Sequence, residues 1–378
     1  MRYFICVISL FLIVSVQAQV VITGSGKAPV SIENFQVSSD GKNILMKDLQ
    51  QSGVIEVVSQ GQARYRVEGV LEDSTLKSRL IEARQNQVMF NRSYMGNIRD
   101  TIHQFADDIV QAITGSPGIA TTQIAFISKA TGAKELYVMS LDGVAVRQIT
   151  RDRSISGSPA FSPDASQVAY TSYKSGYPDV YVVDLKTGQR NRVAGFPGLN
   201  SGAAFSPSGS RLALTLSKSG NPEIYTMSAS GGSLVRVTKT RGAEASPSWS
   251  PNGDSLVFAS DDRGSPQIYI ASAQGGDMKR LNTGFLYATE PVWSPDGKKI
   301  AFNARIGGSF QICLYDLQTQ QTRQLTKSSN NEDPSWTRNS RHLVFSRNGQ
   351  LVLLDTFSLE TYEIKTGLSQ CTEPSCSK

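Results

Sequence analysis

Short apolar segments alternate with polar turns rich in Gly and Pro along the last two thirds of the chain. In one stretch, an apolar segment at 291–293 leads into a Ser-Pro-Asp-Gly turn at 294–297, and further apolar segments follow at 299–302 and 311–316. A Gly-Gly pair separates the last two, and a short fourth segment follows at 324–326. Four short strands divided by turn residues predict one antiparallel four-stranded sheet.

This unit repeats with a period of about 44 residues. An aromatic residue followed by Ser-Pro, or by Thr-Arg in the weakest copy, recurs at Phe161, Phe205, Trp249, Trp293 and Trp336. Self-similarity at this period indicates a β-propeller, in which each repeat forms one blade and no blade is stable alone. We expect the repeated aromatic residues to pack in the core between neighbouring blades.

The number of blades follows from a deficit at one end of the array. Five complete units cover residues 158–366, and the strands predicted at 123–126, 135–139 and 147–150 lack the aromatic strand in front. Residues 372–377 align with 289–294, with Cys376 in the place of the aromatic residue. We therefore predict a six-bladed β-propeller closed by the C-terminal strand, residues 372–377, with a frayed C-terminal tail as the alternative.

Residues 19–115 do not share the repeat. Strands are predicted at 20–22, 31–35, 54–58, 65–70, 76–82 and 88–94, and helices at 40–51 and 98–113. Ser39 is the expected cap of the first helix, and Gly115 ends the second. The fold class is thus multidomain α/β + all-β: a small N-terminal mixed α/β domain (19–115), a linker (116–122) and the propeller (123–378).

The first 18 residues have the pattern of a secretory signal peptide. A basic start is followed by an apolar run from 4 to 16, too short to span a bilayer comfortably, and a small residue, Ala18, at the expected cleavage site. We expect an exported, soluble monomer that does not span the membrane. The net charge of +6 comes from scattered Lys and Arg residues, which does not favour nucleic-acid binding.

Three cysteines follow the predicted cleavage site. Cys313 lies in a predicted strand, where we expect a buried free thiol. Cys371 and Cys376 can form a disulfide in an oxidising compartment, but the sequence leaves this pairing open. No spacing of Cys and His residues predicts a metal site, and we expect no cofactor.

The sequence does not favour an enzyme. The chain has two histidines, no Gly-x-Ser-x-Gly elbow, no phosphate-binding loop and no dinucleotide-binding glycine pattern. His103 is expected on the polar, solvated side of its helix. Two alternatives remain: an exported propeller hydrolase or lyase that uses the channel, and a ligand-binding propeller.

The order of these features resembles the TolB family, the periplasmic propellers of the Tol–Pal system of Gram-negative envelopes. The resemblance is carried by the predicted signal peptide, the small α/β domain, the helix that ends at 112–115, the first blade that opens at 122–126 and the aromatic-Ser-Pro-Asp repeats. Residues 196–205 and 216–220 are especially similar to that family.

The resemblance implies a periplasmic, non-enzymatic adaptor. It would bind the lipoprotein Pal at the face where the inner strands begin, and TolA through its N-terminal segment, and so support outer-membrane constriction at division and envelope integrity. The implied Pal-binding residues are Ser158, Leu199, Asn200, Gly202, Glu244, Ala245, Ser246, Tyr287, Thr289, Glu290, Asn331, Asp333 and Glu373. The implied TolA segment is Gln19, Val20, Val21, Ile22 and Thr23.

Overall fold

The computed structural model describes residues 26–378. The predicted signal peptide (1–18), the strand predicted at 20–22 and the TolA segment (19–23) lie outside the described residues. Within the described part of the chain, no helix is both long enough and apolar enough to cross a membrane.

The N-terminal domain is a five-stranded mixed sheet with two helices. The sheet order is β2-β1-β3-β4-β5, in which β1 pairs in parallel with β2 and β3, whereas β3, β4 and β5 form an antiparallel meander. A short 3₁₀ turn, Gln60–Gln62, precedes β3. The bounds are β1 (Ala28–Gln36), α1 (Ser39–Gln51), β2 (Ile55–Val57), β3 (Tyr65–Glu72), β4 (Thr75–Glu82), β5 (Gln87–Met95) and α2 (Ile98–Thr114).

The helix ends show where local chemistry sets the boundaries. Ser38, not the predicted Ser39, is the N-cap of α1, because its hydroxyl accepts a hydrogen bond from the Gly41 N–H at 3.2 Å. The Asn97 side chain caps α2 in the same way, accepting from the Arg99 N–H at 2.9 Å. Gly115 ends α2 in the left-handed conformation, as predicted.

The remaining strands form six four-stranded antiparallel sheets, so the six-bladed propeller is confirmed. Blade 1 contains β6 (Gln123–Ser128), β7 (Glu135–Ser140), β8 (Arg147–Gln148) and β29 (Cys371–Cys376). Blade 2 contains β9 (Ser156–Phe161), β10 (Gln167–Ser172), β11 (Asp179–Asp184) and β12 (Arg190–Ala194). Blade 3 contains β13 (Asn200–Phe205), β14 (Arg211–Leu216), β15 (Glu223–Ser228) and β16 (Val235–Arg236).

The last three blades repeat this arrangement. Blade 4 contains β17 (Glu244–Trp249), β18 (Ser255–Ser260), β19 (Gln267–Ser272) and β20 (Lys279–Arg280). Blade 5 contains β21 (Ala288–Trp293), β22 (Lys299–Ile306), β23 (Ser309–Asp316) and β24 (Thr322–Gln324). Blade 6 contains β25 (Asn331–Trp336), β26 (His342–Arg347), β27 (Gln350–Asp355) and β28 (Thr361–Ile364).

The C-terminal strand closes the ring. β29 pairs antiparallel with β6, with Cys371 opposite Ser128 and Cys376 opposite Ile124. The predicted closure is therefore confirmed, and the alternative of a frayed tail is wrong. Because β29 is the innermost strand of blade 1, all six blades have the same four-stranded order and β6 is paired on both sides.

The repeated aromatic residues pack between blades, as predicted. The Trp249 indole N–H donates to the Ala204 carbonyl of blade 3 at 3.0 Å, and that of Trp336 donates to Val292 of blade 5 at 3.2 Å. Each of these rings therefore satisfies its polar atom on the neighbouring inner strand while the rest of the ring is buried. Phe205 is only partly buried, so this wedge is weakest in blade 3.

All three cysteines in the described residues are free and buried. Cys313 has no contact with water in β23, as predicted for a buried thiol. Cys371 and Cys376 lie at opposite ends of β29, about 16 Å apart at roughly 3.3 Å per residue. A disulfide requires Cα atoms within about 7 Å, so the Cys371–Cys376 bridge considered from the sequence does not form.

The interface between the two domains contains a histidine that the sequence analysis placed in solvent. His103 of α2 is buried: Nδ1 lies 2.7 Å from a carboxylate oxygen of Asp48 in α1, and Nε2 lies 3.2 Å from Asp142 in the turn after β7. Carboxylate oxygens face both ring nitrogens, and the hydrogen bonds to them outweigh burial and raise the pKa of His103 to about 9. The prediction of a solvated His103 is wrong.

The same stripe of α2 holds the linker and blade 6. Asp107 accepts hydrogen bonds from the Ala120 N–H (2.7 Å) and the Thr121 hydroxyl (2.6 Å), and it pairs with Arg338. A Cβ at Gly118 would lie 2.5 Å from the Asp107 backbone, so the linker can pass this close only with glycine there. The helix therefore fixes the position of the N-terminal domain against blades 1 and 6.

Candidate docking site at the channel mouth

The inner strands of the six blades enclose a channel of about 700 Å³. One opening, called the mouth here, lies where the inner strands begin. The other, called the far opening, is bordered by the turns that follow those strands. Side chains from all six blades line the channel. A ligand or partner at the mouth therefore contacts equivalent positions of the six repeats.

Every inner strand carries a β-bulge at the mouth, and the bulge residue has a left-handed backbone. We call these six residues the ring residues: Glu373, Ser158, Gly202, Ser246, Glu290 and Asp333, in blades 1 to 6, with φ of 54°, 49°, 62°, 55°, 51° and 58°. Five of them are not glycine, and a non-glycine residue held there costs on the order of 1 kcal/mol or more. Six equivalent bulges therefore turn six side-chain positions towards one opening.

Three ring carboxylates connect consecutive blades. The Glu290 carboxylate accepts from the Asp333 N–H at 3.3 Å, and Asp333 accepts from the Glu373 N–H at 3.1 Å. Glu373 accepts from the Ser158 N–H at 2.5 Å, and its other oxygen pairs with Lys134 Nζ at 3.2 Å. Each bulge N–H in this half of the ring is thus satisfied by an acid from the preceding blade.

Burial and mutual proximity change the protonation of these acids. Burial raises the pKa of Glu290 well above its ordinary value, and the adjacent Asp333 adds to the shift. Burial and the neighbouring Glu373 raise the pKa of Asp333 to about 6. Both carboxyls therefore keep their protons to a higher pH than ordinary acidic side chains do.

The structure brings six of the predicted Pal-face residues together as the ring and places four others near it. Leu199, Tyr287 and Thr289 are partly exposed beside the inner strands, and Ala245 is exposed next to ring residue Ser246. Their location is compatible with contact to a docked partner.

The other three predicted Pal-face residues are buried at the first position of their inner strands. The Asn200 amide donates to the Phe196 carbonyl at 2.8 Å, and the Glu244 carboxylate accepts from the Ser260 hydroxyl at 2.6 Å. Asn331 is likewise fully buried. These side chains hold the loops of the mouth in place, and a direct contact with a partner through them is not supported.

Apolar side chains project from loops around the mouth. Leu286, before β21, is 90% exposed, and Tyr177, in the turn between β10 and β11, is 75% exposed. Ile155, just before β9, is also largely exposed. These exposed apolar side chains at the border of the mouth are available to a docking partner, whose contact would bury them.

Sequence reasoning missed the second layer of the mouth. In each blade, the strand next to the inner strand places its fifth residue beside the ring residue. In blades 5 and 6 this fifth residue donates a hydrogen bond to the ring carboxylate: Asn303 to Glu290, and Ser346 to Asp333 at 3.4 Å. Thr171 and Thr215 hold this position in blades 2 and 3. The repeat alignment contained the signal, because these are polar residues in otherwise apolar strands.

The comparison with protein families identifies the fold. The family model of the TolB β-propeller domain matches residues 110–372. The chain belongs to this family. That membership confirms the resemblance seen in the sequence.

Curated relatives support the assignment. A "Tol-Pal system protein TolB" of Geobacter sulfurreducens is 38% identical over 118 residues, which are 30% of this chain and 26% of that protein. The protein of the same name from Syntrophotalea carbinolica is 33% identical over 213 residues, 43% of this chain and 49% of that protein. The matched segments thus span half or less of the length of these relatives.

A solved structure resembles both domains. TolB from Acinetobacter baumannii superposes with a TM-score of 0.84 and 28% identity, covering 93% of this chain and 96% of that one. A putative TolB from Agrobacterium tumefaciens, at 21% identity and a TM-score of 0.53 over 65% of this chain and 88% of that one, shares the fold. The small α/β domain followed by the six-bladed propeller is therefore the architecture of a TolB structure.

Proposed function

We propose that the protein is a periplasmic, non-enzymatic adaptor of the Tol–Pal trans-envelope system. The mouth of the propeller binds the lipoprotein Pal, and the N-terminal segment 19–23 binds TolA by adding a strand to it. The adaptor supports outer-membrane constriction at division and envelope integrity. The observation that carries this proposal is the mouth itself, in a chain of the TolB family: a pre-ordered polar ring surrounded by exposed apolar loops.

The physical fit rests on rigidity. The ring carboxylates are bonded to the backbone of the next blade, so the mouth is ordered before a partner arrives and little entropy is lost on binding. Leu286 and Tyr177 supply apolar area at its border. Large side chains that become buried on docking are the usual source of binding energy in protein interfaces.

Pal binding is tested with the purified periplasmic part of Pal and the full mature chain, by calorimetry. We expect Leu286→Asp to weaken binding by tenfold or more, about 1.4 kcal/mol, because it places a charge in an apolar contact. Met95→Asp is the matched control, since Met95 is also highly exposed but lies on the edge strand β5 of the other domain. Equal affinities of the two variants would refute docking at the mouth.

TolA binding is tested by deleting residues 19–23. We expect loss of TolA binding with the melting temperature unchanged, and unchanged TolA binding would overturn this part of the proposal. Turnover of peptides or glycans by the purified protein would instead favour the alternative of an exported hydrolase or lyase.

A further inference from the structure

The repeated blades show what a complete ring position contains. In blade 5 the Glu290 carboxylate accepts one hydrogen bond from Asn303 of the same blade and one from the Asp333 N–H of the next. In blade 6 the Asp333 carboxylate accepts from Ser346 of the same blade and from the Glu373 N–H of the next. A complete position therefore has one carboxylate between two donors.

Blade 3 has the two donors and lacks the carboxylate. Its ring residue is Gly202, and a Cβ built there would meet only Thr215 Oγ1, at 3.9 Å. Thr215 is 2% exposed, and its hydroxyl has no hydrogen-bond partner in the described residues. The second donor is the N–H of Ser246 in the next blade. Ser246 lies in the bulge of β17 and has no partner residue on β18, and none of the described side chains accepts its N–H.

Blade 2 shows that a threonine can satisfy this arrangement without help. There the Thr171 hydroxyl itself accepts the N–H of the next ring residue, Gly202, at 3.3 Å. Thr215, at the equivalent strand position, does not make the corresponding bond to Ser246, and its hydroxyl remains unpartnered. A buried hydroxyl without a partner destabilises the fold, and a suitable acceptor from outside would remove that cost.

The electrostatics next to blade 3 permit an anion. Two acidic ring residues, Glu290 and Glu373, each lie two blades away from Gly202, and burial and Asp333 raise the pKa of Glu290 well above its ordinary value. The Glu373 carboxylate is already paired with Lys134. The ring residues of the two blades beside blade 3 are Ser158 and Ser246, so a carboxylate at Gly202 meets two hydrogen-bond donors and no acidic ring residue in an adjacent blade.

We propose that Gly202, Thr215 and Ser246 form a carboxylate-binding site in the mouth, filled by an acidic side chain of the docked protein. The carboxylate takes the place that the Glu290 and Asp333 carboxylates occupy in their own blades. It accepts from the Thr215 hydroxyl and the Ser246 N–H, and hydrogen bonds to a charged acceptor are stronger than those between neutral groups. That the carboxylate comes from a docked protein rests on the proposed function. The site itself is inferred from the comparison of blade 3 with blades 5 and 6.

The site is tested without any partner protein. The probe is acetyl-glutamyl amide, titrated into the ¹⁵N-labelled full mature chain, and the signal is the NMR shift of the Ser246 N–H. We expect a saturable shift, and a dissociation constant about tenfold weaker for acetyl-glutaminyl amide, which has the same shape without the charge.

Substitutions show whether the probe sits where the repeat places it. Gly202→Glu supplies the missing acid from within, and the backbone tolerates it because Glu290 and Glu373 have the same left-handed conformation. We expect this variant to move the Ser246 signal towards its bound position without probe and to bind no probe. Thr215→Val should weaken binding about tenfold.

The control is Ser208→Asp, which adds one negative charge to the same blade but at the far opening. Blades 2 and 5 already carry an aspartate, Asp164 and Asp296, at the equivalent position. It should bind the probe like the wild type. Three results would each overturn the proposal: no saturable shift at Ser246, equal binding of the glutaminyl probe, or undiminished binding by Gly202→Glu. If Pal fails to bind while the probe passes these tests, the site stands and only the identity of the docked protein changes.

Discussion

The Glu373 carboxylate accepts a hydrogen bond from the Ser158 N–H at 2.5 Å, and this contact joins the C-terminal strand to the blade next to the one it completes. Glu373 lies on β29, whose backbone also pairs with β6. One short strand therefore closes blade 1, ties it to blade 2 and supplies an acid to the mouth. Ring closure and the candidate docking surface are properties of the same residues.

Deleting residues 371–378 should open the ring. The deletion leaves β6 as an unpaired inner edge, which invites association with other chains. We expect a lower melting temperature and larger species in size-exclusion chromatography. Removal of Lys378 alone is the control and should leave both measurements unchanged, because that residue lies beyond the strand. A monomeric, equally stable deletion variant would contradict closure by β29.

The inter-blade wedges should dominate stability. Trp336 is 1% exposed, so Trp336→Ala should lower the free energy of unfolding by about 3–5 kcal/mol. Phe205→Ala removes a ring that is only partly buried and should cost clearly less. Urea unfolding followed by circular dichroism measures both, and equal losses would argue against the wedge.

His103 should make the domain interface sensitive to alkaline pH. Burial alone would lower its pKa, but hydrogen bonds to Asp142 and Asp48 outweigh this effect and raise the pKa to about 9. A raised histidine pKa stabilises the fold fully below the unfolded value of about 6.5, and the gain disappears as the pH rises through 9. We expect the stability difference between wild type and His103→Gln to shrink by on the order of 3 kcal/mol between pH 6 and pH 10.

The other charged groups around His103 do not change that sign. Arg99 pairs with Asp142 at 2.5 Å, and Asp107 pairs with Arg338 in the same interface. Burial raises the pKa of Asp48, so its ionisation also lowers stability as the pH rises, in the same direction as the loss of the proton from His103. Urea unfolding across the pH range checks the prediction, and a constant difference between the two proteins would contradict an ionised His103.

Glu244 distinguishes a residue that supports the mouth from one that contacts a partner. Burial raises its pKa to about 7, and the neighbouring Glu223 adds to this effect, so its ionisation destabilises the fold as the pH rises through 7. Glu244→Gln should therefore gain stability relative to wild type between pH 5 and pH 8. Glu244→Lys should lose 3 kcal/mol or more, because it leaves a buried charge without a partner.

Thermal unfolding at both pH values, with Glu332→Gln as the control for a partly exposed acid of the mouth, checks these effects. If the Glu244→Lys protein is folded and stable but binds Pal more weakly, Glu244 contacts the partner directly.

Reducing agents should leave the stability unchanged. Cys371 and Cys376 are free thiols at opposite ends of one strand, so no covalent bond is lost on reduction. We expect the same melting temperature with and without dithiothreitol, for wild type and for Cys371→Ala. A drop on reduction in the wild type alone would show that the two thiols are bridged.

The sequence predicted the architecture because the propeller repeats its own pattern. The spacing of Phe161, Trp249 and Trp293 predicted the blades, and the match of 372–377 to 289–294 predicted the closing strand, both of which are confirmed. The family resemblance implied that Ser158, Gly202 and Ser246 share one face, and the structure places them at equivalent bulges of their inner strands. Position within a repeat was enough for these residues, because equivalent positions face equivalent directions.

Contacts between non-equivalent parts could not be predicted in this way. His103 lies on the polar stripe of α2, and only the docking of blade 1 shows that this stripe is buried against Asp142. Glu244 and Asn331 look like exposed loop acids and amides in the sequence, yet each fills the first position of its inner strand and is bonded inside the blade. Periodicity gives the direction of a side chain, but not what lies against it.

The pairing of β29 with β6 also fixes an order of events during synthesis. Residues 123–128 have to wait for residues 371–376 before their sheet is complete, although the five blades between them can form as the chain emerges. Contacts between such distant segments form slowly. Until the last strand arrives, blade 1 lacks its inner strand and the six blades form an open arc.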